Sequence, residues 1–282
     1  TAMYRAKSQG TARHQLFDSP MHARVVSLLL LETDLRRAVE QRSFILKYQP
    51  IVELESRTTV GLEALIRWPH PARRSIPREE FLPLAEETGL ILPIGWWALQ
   101  TATTALQSWR LGGIVTDGVS VSVNLSGRQL AHPELPAQVD RVLREADLDP
   151  TLLRLEITES AVIENRDLAV EALERIKERG VRVDIDDFGT GYSSLSYLHR
   201  LPIDRVKIDR SFVRSLPGDA DSMEIVRAIV GLADNLGLET VAEGVETEEQ
   251  AALLADLGCR LGQGYLYARP LSADELRRHL SG

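Results

Sequence analysis

From Phe44 onward, short β-rich runs alternate with helical stretches, and this rhythm constrains the fold more than any other feature of the 282 residues. The runs fall at 45–52, 60–68, 119–125, 152–158, 181–186, 205–208, 239–242 and 261–265. The helical stretches between the later ones have legible ends. Residues 167–179 stop at Gly180 and 223–236 at Gly237, while 248–257 start at Thr247, with Gln250 in the capping-box position, and stop at Gly258. Ser272 and Glu275 open a last helix in the same way. Such an alternation predicts an α/β fold, either a (β/α)₈ barrel or an open doubly wound sheet, and the number of strands favours the barrel.

The strands carry a second signal. Successive side chains on a strand point to opposite faces. Val119, Val121, Val123 and Leu125 share one parity, and Ser120, Ser122, Asn124 and Ser126 share the other. Val181, Val183 and Ile185 alternate with Arg182, Asp184 and Asp186; Leu153, Leu155 and Ile157 alternate with Arg154, Glu156 and Thr158. A barrel strand wedged between interior and outer helices should read as continuously apolar. The apolar parity is therefore expected to face the helices and the polar parity the barrel interior. Polar residues then gather at the C-terminal strand ends, at Glu63, Asn124, Glu156, Asp186, Lys207, Glu243 and Gln263. That is the face where barrel enzymes place their chemistry.

Several acids and one lysine do not balance, and an unpaired buried carboxylate costs several kcal/mol or neutralises itself. The missing positive charge is most simply a divalent metal ion, or two. Oxygen donors from Asp, Glu and Asn suit Mg²⁺ or Mn²⁺. His14, His22, His70, His132, His199 and His279 are expected to lie outside the strand ends, which disfavours a His-rich zinc site. The adjacent Asp186-Asp187 pair at a strand-to-loop junction suits two ions about 3.5–4 Å apart, the device used for in-line displacement at phosphorus. Each feature has a plainer reading. Lys207 can pair with Asp209 or Asp186, Arg154 and Asp184 can pair below the site, and Gly189-Thr190-Gly191 can be a turn. Gly262 and Gly264 can serve backbone packing, and Trp96, Trp97 and Trp109 can be core. Recurrence on successive strands is what favours a site.

Composition removes other classes. Lys plus Arg is 33 against 41 Asp plus Glu, a net charge of −8, which repels nucleic acid and anionic membranes. No DNA or RNA polymer is expected as partner. One cysteine, Cys259, excludes an intrachain disulfide and fits the cytosol. The apolar run 25–31 is too short to span a bilayer, so no membrane segment is expected here, and a chain opening on Thr1 is expected to be part of something longer.

At these residues the sequence resembles the EAL domain family of bacterial cyclic-di-GMP phosphodiesterases, from about Leu35 to Leu271. The signature Glu63-Ala64-Leu65 stands within Gly-Leu-Glu-Ala-Leu-Ile-Arg-Trp. Around it are Tyr48-Gln-Pro-Ile, Val123-Asn-Leu-Ser, Leu155-Glu-Ile-Thr-Glu, Asp186-Asp-Phe-Gly-Thr-Gly-Tyr-Ser-Ser-Leu, Val206-Lys-Ile-Asp, Ala242-Glu-Gly-Val-Glu and Gly262-Gln-Gly-Tyr-Leu. The tripeptide alone means little; the ordered set is specific.

The resemblance implies a TIM-like barrel whose first strand runs antiparallel to the others. It implies two Mg²⁺ or Mn²⁺, one held by Glu63, Asn124, Glu156 and Asp186, the second shared by Asp186 with Asp187 and Glu243. The water between them is the expected nucleophile, and Lys207 the residue that orients or activates it. Glu246 and Gln263 match positions that order the ligands. Glu159 matches a glutamate anchoring the loop that begins at Asp187 and Phe188, which in the family couples metal binding to dimerisation. Gln49, Leu65, Arg67 and Asp209 match substrate-contacting positions. The implied reaction is hydrolysis of cyclic-di-GMP to linear 5′-pGpG, by a homodimer.

Residues 2–10 resemble the last helix of a GGDEF domain, the cyclase module often fused upstream. The expected organisation is a GGDEF tail at 1–22, a linker helix at 23–30 and the EAL barrel at 31–282, in a cytoplasmic segment of a parent chain that other domains can tether to a membrane. Two further readings compete with the hydrolase. One is a catalytically silent cyclic-di-GMP receptor, although no metal position or loop motif is lost. The other is a metal-dependent lyase or enolase-type barrel, against which the Asp-Asp pair and the loop argue.

Overall fold

The computed structural model describes residues 19–164, 166–190 and 200–280, with side chains from residue 26 onward and outside 163–168. Most of the expected GGDEF tail, and residues 191–195 of the loop motif, lie outside the described residues. The chain divides into two compact units, residues 1–44 with 68–90, and 45–67 with 91–282.

In the first unit, helix α1 (Ser19–Glu40) runs through the boundaries expected at 22/23 and 30/31 without a break. Leu31, Leu35 and Ala38 are buried along it. Strand β1 (Ile45–Glu53) belongs to the second unit, and strand β2 (Thr59–His70) ends in the first. There Trp68, Pro69 and His70 pair with strand β3 (Arg74–Ile76). Helix α2 (Arg78–Thr88) follows and stops at Gly89, whose φ of 77° fits glycine. Trp68 packs edge-on to Phe81 at 5.6 Å, with Phe44 at 6.0 Å from Trp68. His70 corrects the expectation that every histidine lies outside the strand ends, since it is the last residue of β2. Pairing with β3 extends β2 to it, and its Nε2 sits 3.3 Å from Asp34 Oδ2.

The second unit is the barrel. Its elements after β2 are α3 (Ile91–Leu111), β4 (Ser120–Leu125), α4 (Gly127–Leu130), α5 (Leu135–Ala146), β5 (Leu153–Thr158), α6 (Glu159–Glu164), α7 (Arg166–Lys177), β6 (Arg182–Phe188), β7 (Arg205–Ile208), α8 (Arg210–Arg214), α9 (Ala220–Asn235), β8 (Glu239–Glu243), α10 (Glu248–Asp256), β9 (Leu261–Gln263) and α11 (Ala273–Leu280). The nine strands among the described residues run in the order β1-β9-β8-β7-β6-β5-β4-β2-β3, and a β1–β2 pairing closes the ring around all but β3. β1 is antiparallel to both neighbours, and the remaining barrel contacts are parallel. The expected barrel with one reversed strand is thus the observed one. Two expected capping boxes are present, Thr247 with Gln250 and Ser272 with Glu275.

The apolar parity faces outward as expected. Leu62, Val121, Val123, Leu155, Ile157, Val183, Ile185, Val206 and Ile208 belong to one buried cluster with helix residues such as Leu99, Leu106, Val139, Leu173 and Val226. Each such side chain contributes roughly 1.5–3 kcal/mol when fully buried. Trp109 joins this core, while Trp96 and Trp97 are only partly buried against it. The interior is less uniformly polar than its parity predicts. Ile51, Val241 and Leu261, on β1, β8 and β9, form a small apolar cluster of their own.

On β5 to β8 the lower interior is charged but balanced. Arg154 grips Asp184 with two bonds, Nε to Oδ2 at 2.8 Å and Nη2 to Oδ1 at 2.7 Å. Arg205 donates to Glu239 at 2.8 Å and lies 3.7 Å from Asp184. Two guanidiniums face two carboxylates, so this layer calls for no further cation.

Candidate metal centre

Two residues further along β5, β6 and β7, and four along β8, the balance fails. Register places Gln49 opposite Glu63, Asn124 beside Glu156, and Glu243 beside Gln263. Four carboxylates, of Glu63, Glu156, Asp186 and Glu243, surround Lys207, which is fully buried. Its Nζ lies 2.5 Å from Glu243 Oε1, 3.0 Å from Glu156 Oε2, 3.1 Å from Asp186 Oδ1 and 3.6 Å from Glu63 Oε2. One ammonium thus serves four carboxylates, and Asp187 stands nearby.

The proton affinities report the imbalance. Burial alone would lower the Lys207 pKa, but Asp186, Glu156, Glu243 and Glu63 outweigh it and hold the ammonium well above the ordinary lysine value. Burial drives Glu156 well above the usual carboxylate range, and Lys207 does not offset it. Glu243 rises to about 8 and Asp187 to about 6, in both cases chiefly through burial, with Asp186 adding repulsion. The carboxyl pKa values are raised while Lys207 is held charged, as expected where one cation faces more acids than it can balance.

The adjacent aspartates reach the same place through a backbone irregularity. On a regular strand Asp186 and Asp187 would point to opposite faces. Asp187 instead has φ of 53°, and the β6–β7 register shifts between Ile185 and Phe188. This bulge breaks the alternation and leaves ligand atoms of Asp186, Asp187 and Glu243 within 4.8 Å of one another. Left-handed backbone at a non-glycine residue costs on the order of 1–3 kcal/mol and concentrates at functional sites.

The donor set fits a hard divalent cation. Every candidate ligand atom is an oxygen, and Glu156 Oε1 is buried with no hydrogen-bond partner among the described residues. Asn124, at the end of β4, is exposed, and its Nδ2 donates to Glu63 Oε1 at 3.0 Å. Gln263 Nε2 donates to Glu63 Oε2 at 2.6 Å and to Gln49 Oε1 at 3.2 Å. Gln49 Nε2 passes the chain on to the Ala268 carbonyl at 3.0 Å.

Other expected site residues sit further out. Asp209 caps α8 through the Ser211 N–H at 2.9 Å and also faces Asp187. It does not pair with Lys207, unlike one plain reading of the sequence. Leu65 is buried beside the signature glutamate, and Arg67 is half-buried, with Nη1 on the Ile66 carbonyl at 2.8 Å. Glu159 is buried at the start of α6, and neither carboxylate oxygen has a hydrogen-bond partner among the described residues. Glu246 is exposed; its backbone N–H donates to Gln250. Sequence reasoning missed Arg205 and Glu239, although each shares its strand's inward parity with Lys207 or Glu243.

Two predictions arise here. Gly264 packs so tightly that a Cβ would lie 2.0 Å from the Val245 carbonyl oxygen and 2.3 Å from its nitrogen. Val245 also bonds Gln263 and Leu266 at 3.0 Å through its backbone. Gly264→Ala must therefore push Glu243's segment away from Gln263, at a cost of at least about 1–3 kcal/mol. Thermal unfolding should show it, whereas Gly231→Ala, mid-helix with open space, should be neutral or stabilising by up to about 1 kcal/mol. Equal behaviour of the two variants would refute the packing account.

The second concerns pH. Asp187 and Glu243 have raised pKa values, so the stability they confer is complete below the ordinary carboxylate pKa. It is lost as pH rises through about 6 and then about 8. In EDTA, the unfolding temperature should fall across that window, and saturating Mn²⁺ should flatten the fall. A metal-free chain that gains stability over the same window would contradict this.

A family model described as EAL domain matches residues 32–270. Over 275 residues the chain is 46% identical to the bifunctional diguanylate cyclase/cyclic di-GMP phosphodiesterase MucR of Pseudomonas aeruginosa, covering 98% of this chain and 40% of the relative. It is 40% identical over 278 residues to the cyclic di-GMP phosphodiesterase PdeR of Escherichia coli, covering 99% and 42%. The chain thus spans about two fifths of the length of these relatives. Among solved structures, the PaMucR phosphodiesterase in complex with c-di-GMP superposes with a TM-score of 0.84 at 46% identity, covering 88% of this chain and 99% of that one.

Proposed function

The chain belongs to the EAL domain family, and on that premise we propose that it hydrolyses one phosphodiester of cyclic-di-GMP with the help of divalent ions, giving linear 5′-pGpG. The observation that carries this reading is the unbalanced layer at the strand ends, four inward carboxylates around Lys207 above a layer that is already neutral. The relatives named for cyclic-di-GMP hydrolysis, and the neighbour solved with c-di-GMP, support the choice of substrate.

In this reading Glu63, Asn124, Glu156 and Asp186 hold one Mg²⁺ or Mn²⁺, and Asp186, Asp187 and Glu243 hold a second. Bound there, such ions supply the charge that neutralises a phosphodiester and lowers the pKa of water toward neutrality. The chain's own residues do the rest. Lys207 is a fixed donor at the centre of the cluster and orients the attacking water. Gln263 locks Glu63 and Gln49 in place, so that the carboxylate and the substrate-facing amide move together. Gln49, Leu65, Arg67 and Asp209 ring the cluster as substrate contacts. Glu159 anchors the loop after Asp187, and Glu246 acts from the outer rim.

Among the described residues no helix is long and apolar enough to cross a membrane. We place the chain in the cytoplasm as a homodimer, downstream of a GGDEF module whose tail residues 2–10 resemble. The test is incubation with cyclic-di-GMP and Mg²⁺, Mn²⁺ or EDTA, followed by chromatography. Metal-dependent pGpG supports the hydrolase. Tight binding without product at any metal concentration supports the silent receptor instead.

A further inference from the structure

We propose that Gln250 is a positioning residue for the cation site at Asp186, Asp187 and Glu243, clasping the segment after Glu243 to the segment after Asp209; this rests on the divalent-ion reading above. Gln250 lies in the first turn of α10, is 5% exposed, and uses both ends of its amide. Its Oε1 accepts from the Glu246 N–H at 2.8 Å and the Thr247 N–H at 3.1 Å. Its Nε2 donates to the Val213 carbonyl at 3.2 Å and the Leu216 carbonyl at 3.4 Å, 37 and 34 residues away in sequence. The oxygen completes the capping box of α10. A capping box needs only that acceptor, so the donor end answers to something else.

The segments it joins both leave the acidic cluster. One is residues 244–247, which follow Glu243 at the end of β8. The other is α8 and the turn after it, which follow Lys207 and Asp209 beyond the end of β7. Asp209 caps α8 and faces Asp187. Gln250 thus grips the far end of the helix whose near end rests on one candidate ligand, and the loop that begins at another. The two segments also meet beside the cluster, where a Cβ on Gly244 would lie 2.7 Å from the Arg210 Cβ. Two contacts at separate points fix their relative position. Ligand atoms of Asp186, Asp187 and Glu243 stand within 4.8 Å of one another at the head of this assembly.

A small hard cation demands closely defined ligand spacing, and residues that hold ligands in place without touching the ion typically account for about 10–100-fold in affinity. A buried amide with a donor and an acceptor both engaged is suited to that task. Losing it leaves two segments free to separate and two carbonyls short of a donor. The competing explanation is that Gln250 only caps α10. That role predicts lower stability with cation affinity unchanged.

The test is titration of the metal-free whole chain with Mn²⁺ alone, with free ion followed by its electron paramagnetic resonance signal. Gln250→Met, which breaks the clasp, should weaken binding of an ion by about tenfold or more. Gln250→Glu keeps a capping acceptor but turns an oxygen toward the Val213 and Leu216 carbonyls, and it should weaken binding likewise. Thr247→Ala removes the hydroxyl that caps the Gln250 N–H at 3.2 Å and leaves the amide in place, so affinity should stay within about twofold of the parent. Circular dichroism shows which variants are folded, and either Gln250 variant is sufficient. A folded Gln250 variant that binds Mn²⁺ within about twofold of the parent overturns the clasp, as does Thr247→Ala weakening binding as much as the Gln250 variants. In either case the divalent-ion reading stands. If the parent binds no Mn²⁺, that reading falls and the clasp with it.

Discussion

Glu63→Gln should cut turnover of cyclic-di-GMP by about 10³-fold or more without destabilising the chain. Glu63 is buried, accepts from Asn124 and Gln263, and lies in reach of Lys207. Glutamine preserves the shape and an acceptor oxygen but removes the negative charge. A metal ion stabilises transition-state charge by several kcal/mol, and each 1.36 kcal/mol is tenfold in rate, hence the size of the loss. The stability prediction has the opposite sign. The metal-free layer has more acids than cations, so removing one charge relieves repulsion, and the unfolding temperature in EDTA should hold or rise. Full activity in this variant would sink the ligand assignment. A large loss of stability in EDTA would show that Glu63 is chiefly a structural ion-pair partner.

Lys207→Met should have the largest effect on stability. Methionine fills a similar volume but leaves Glu63, Glu156, Asp186 and Glu243 without their shared cation. Breaking a buried ion pair from one side costs about 3–5 kcal/mol, which for a chain of this size lowers the unfolding temperature by roughly 6–20 °C. Added Mg²⁺ or Mn²⁺ should recover much of that loss, because an ion replaces the missing charge, yet turnover should stay absent. Neighbouring charges are not additive, so Lys207→Met combined with Glu156→Gln should be milder in EDTA than Lys207→Met alone. Differential scanning fluorimetry with and without metal reads all three outcomes. An unchanged unfolding temperature in EDTA for Lys207→Met would contradict the charge account.

These predictions draw on features that differ in how far the sequence discloses them. Parity along β4 to β7 was legible because strand alternation is a local rule, and it placed Glu156, Asp186 and Lys207 on one interior face. β7 was legible to the residue. The direction of β1 was not, since a period of two reads the same in both directions; only the family resemblance carried it. Parity also says nothing about which neighbours fill an interior layer, so the apolar group Ile51, Val241 and Leu261 was missed. The Asp187 bulge depends on a positive φ that no residue pattern requires, although it brings the two aspartates together. His70 was misplaced because β2 is prolonged by pairing with β3, an interaction distant from the helix-and-strand rhythm. The bond from Gln49 to Ala268 joins residues more than two hundred positions apart, beyond the reach of any motif.

The central claim is that the acidic layer around Lys207 cleaves a phosphodiester with water and divalent ions. Its most direct test is to titrate Mn²⁺ from EDTA into the chain with cyclic-di-GMP in ¹⁸O-labelled water and to weigh the products. The account predicts pGpG that appears in proportion to bound metal and carries one ¹⁸O on its new phosphate. Cyclic-di-GMP that binds and is recovered intact and unlabelled at every metal concentration would contradict it.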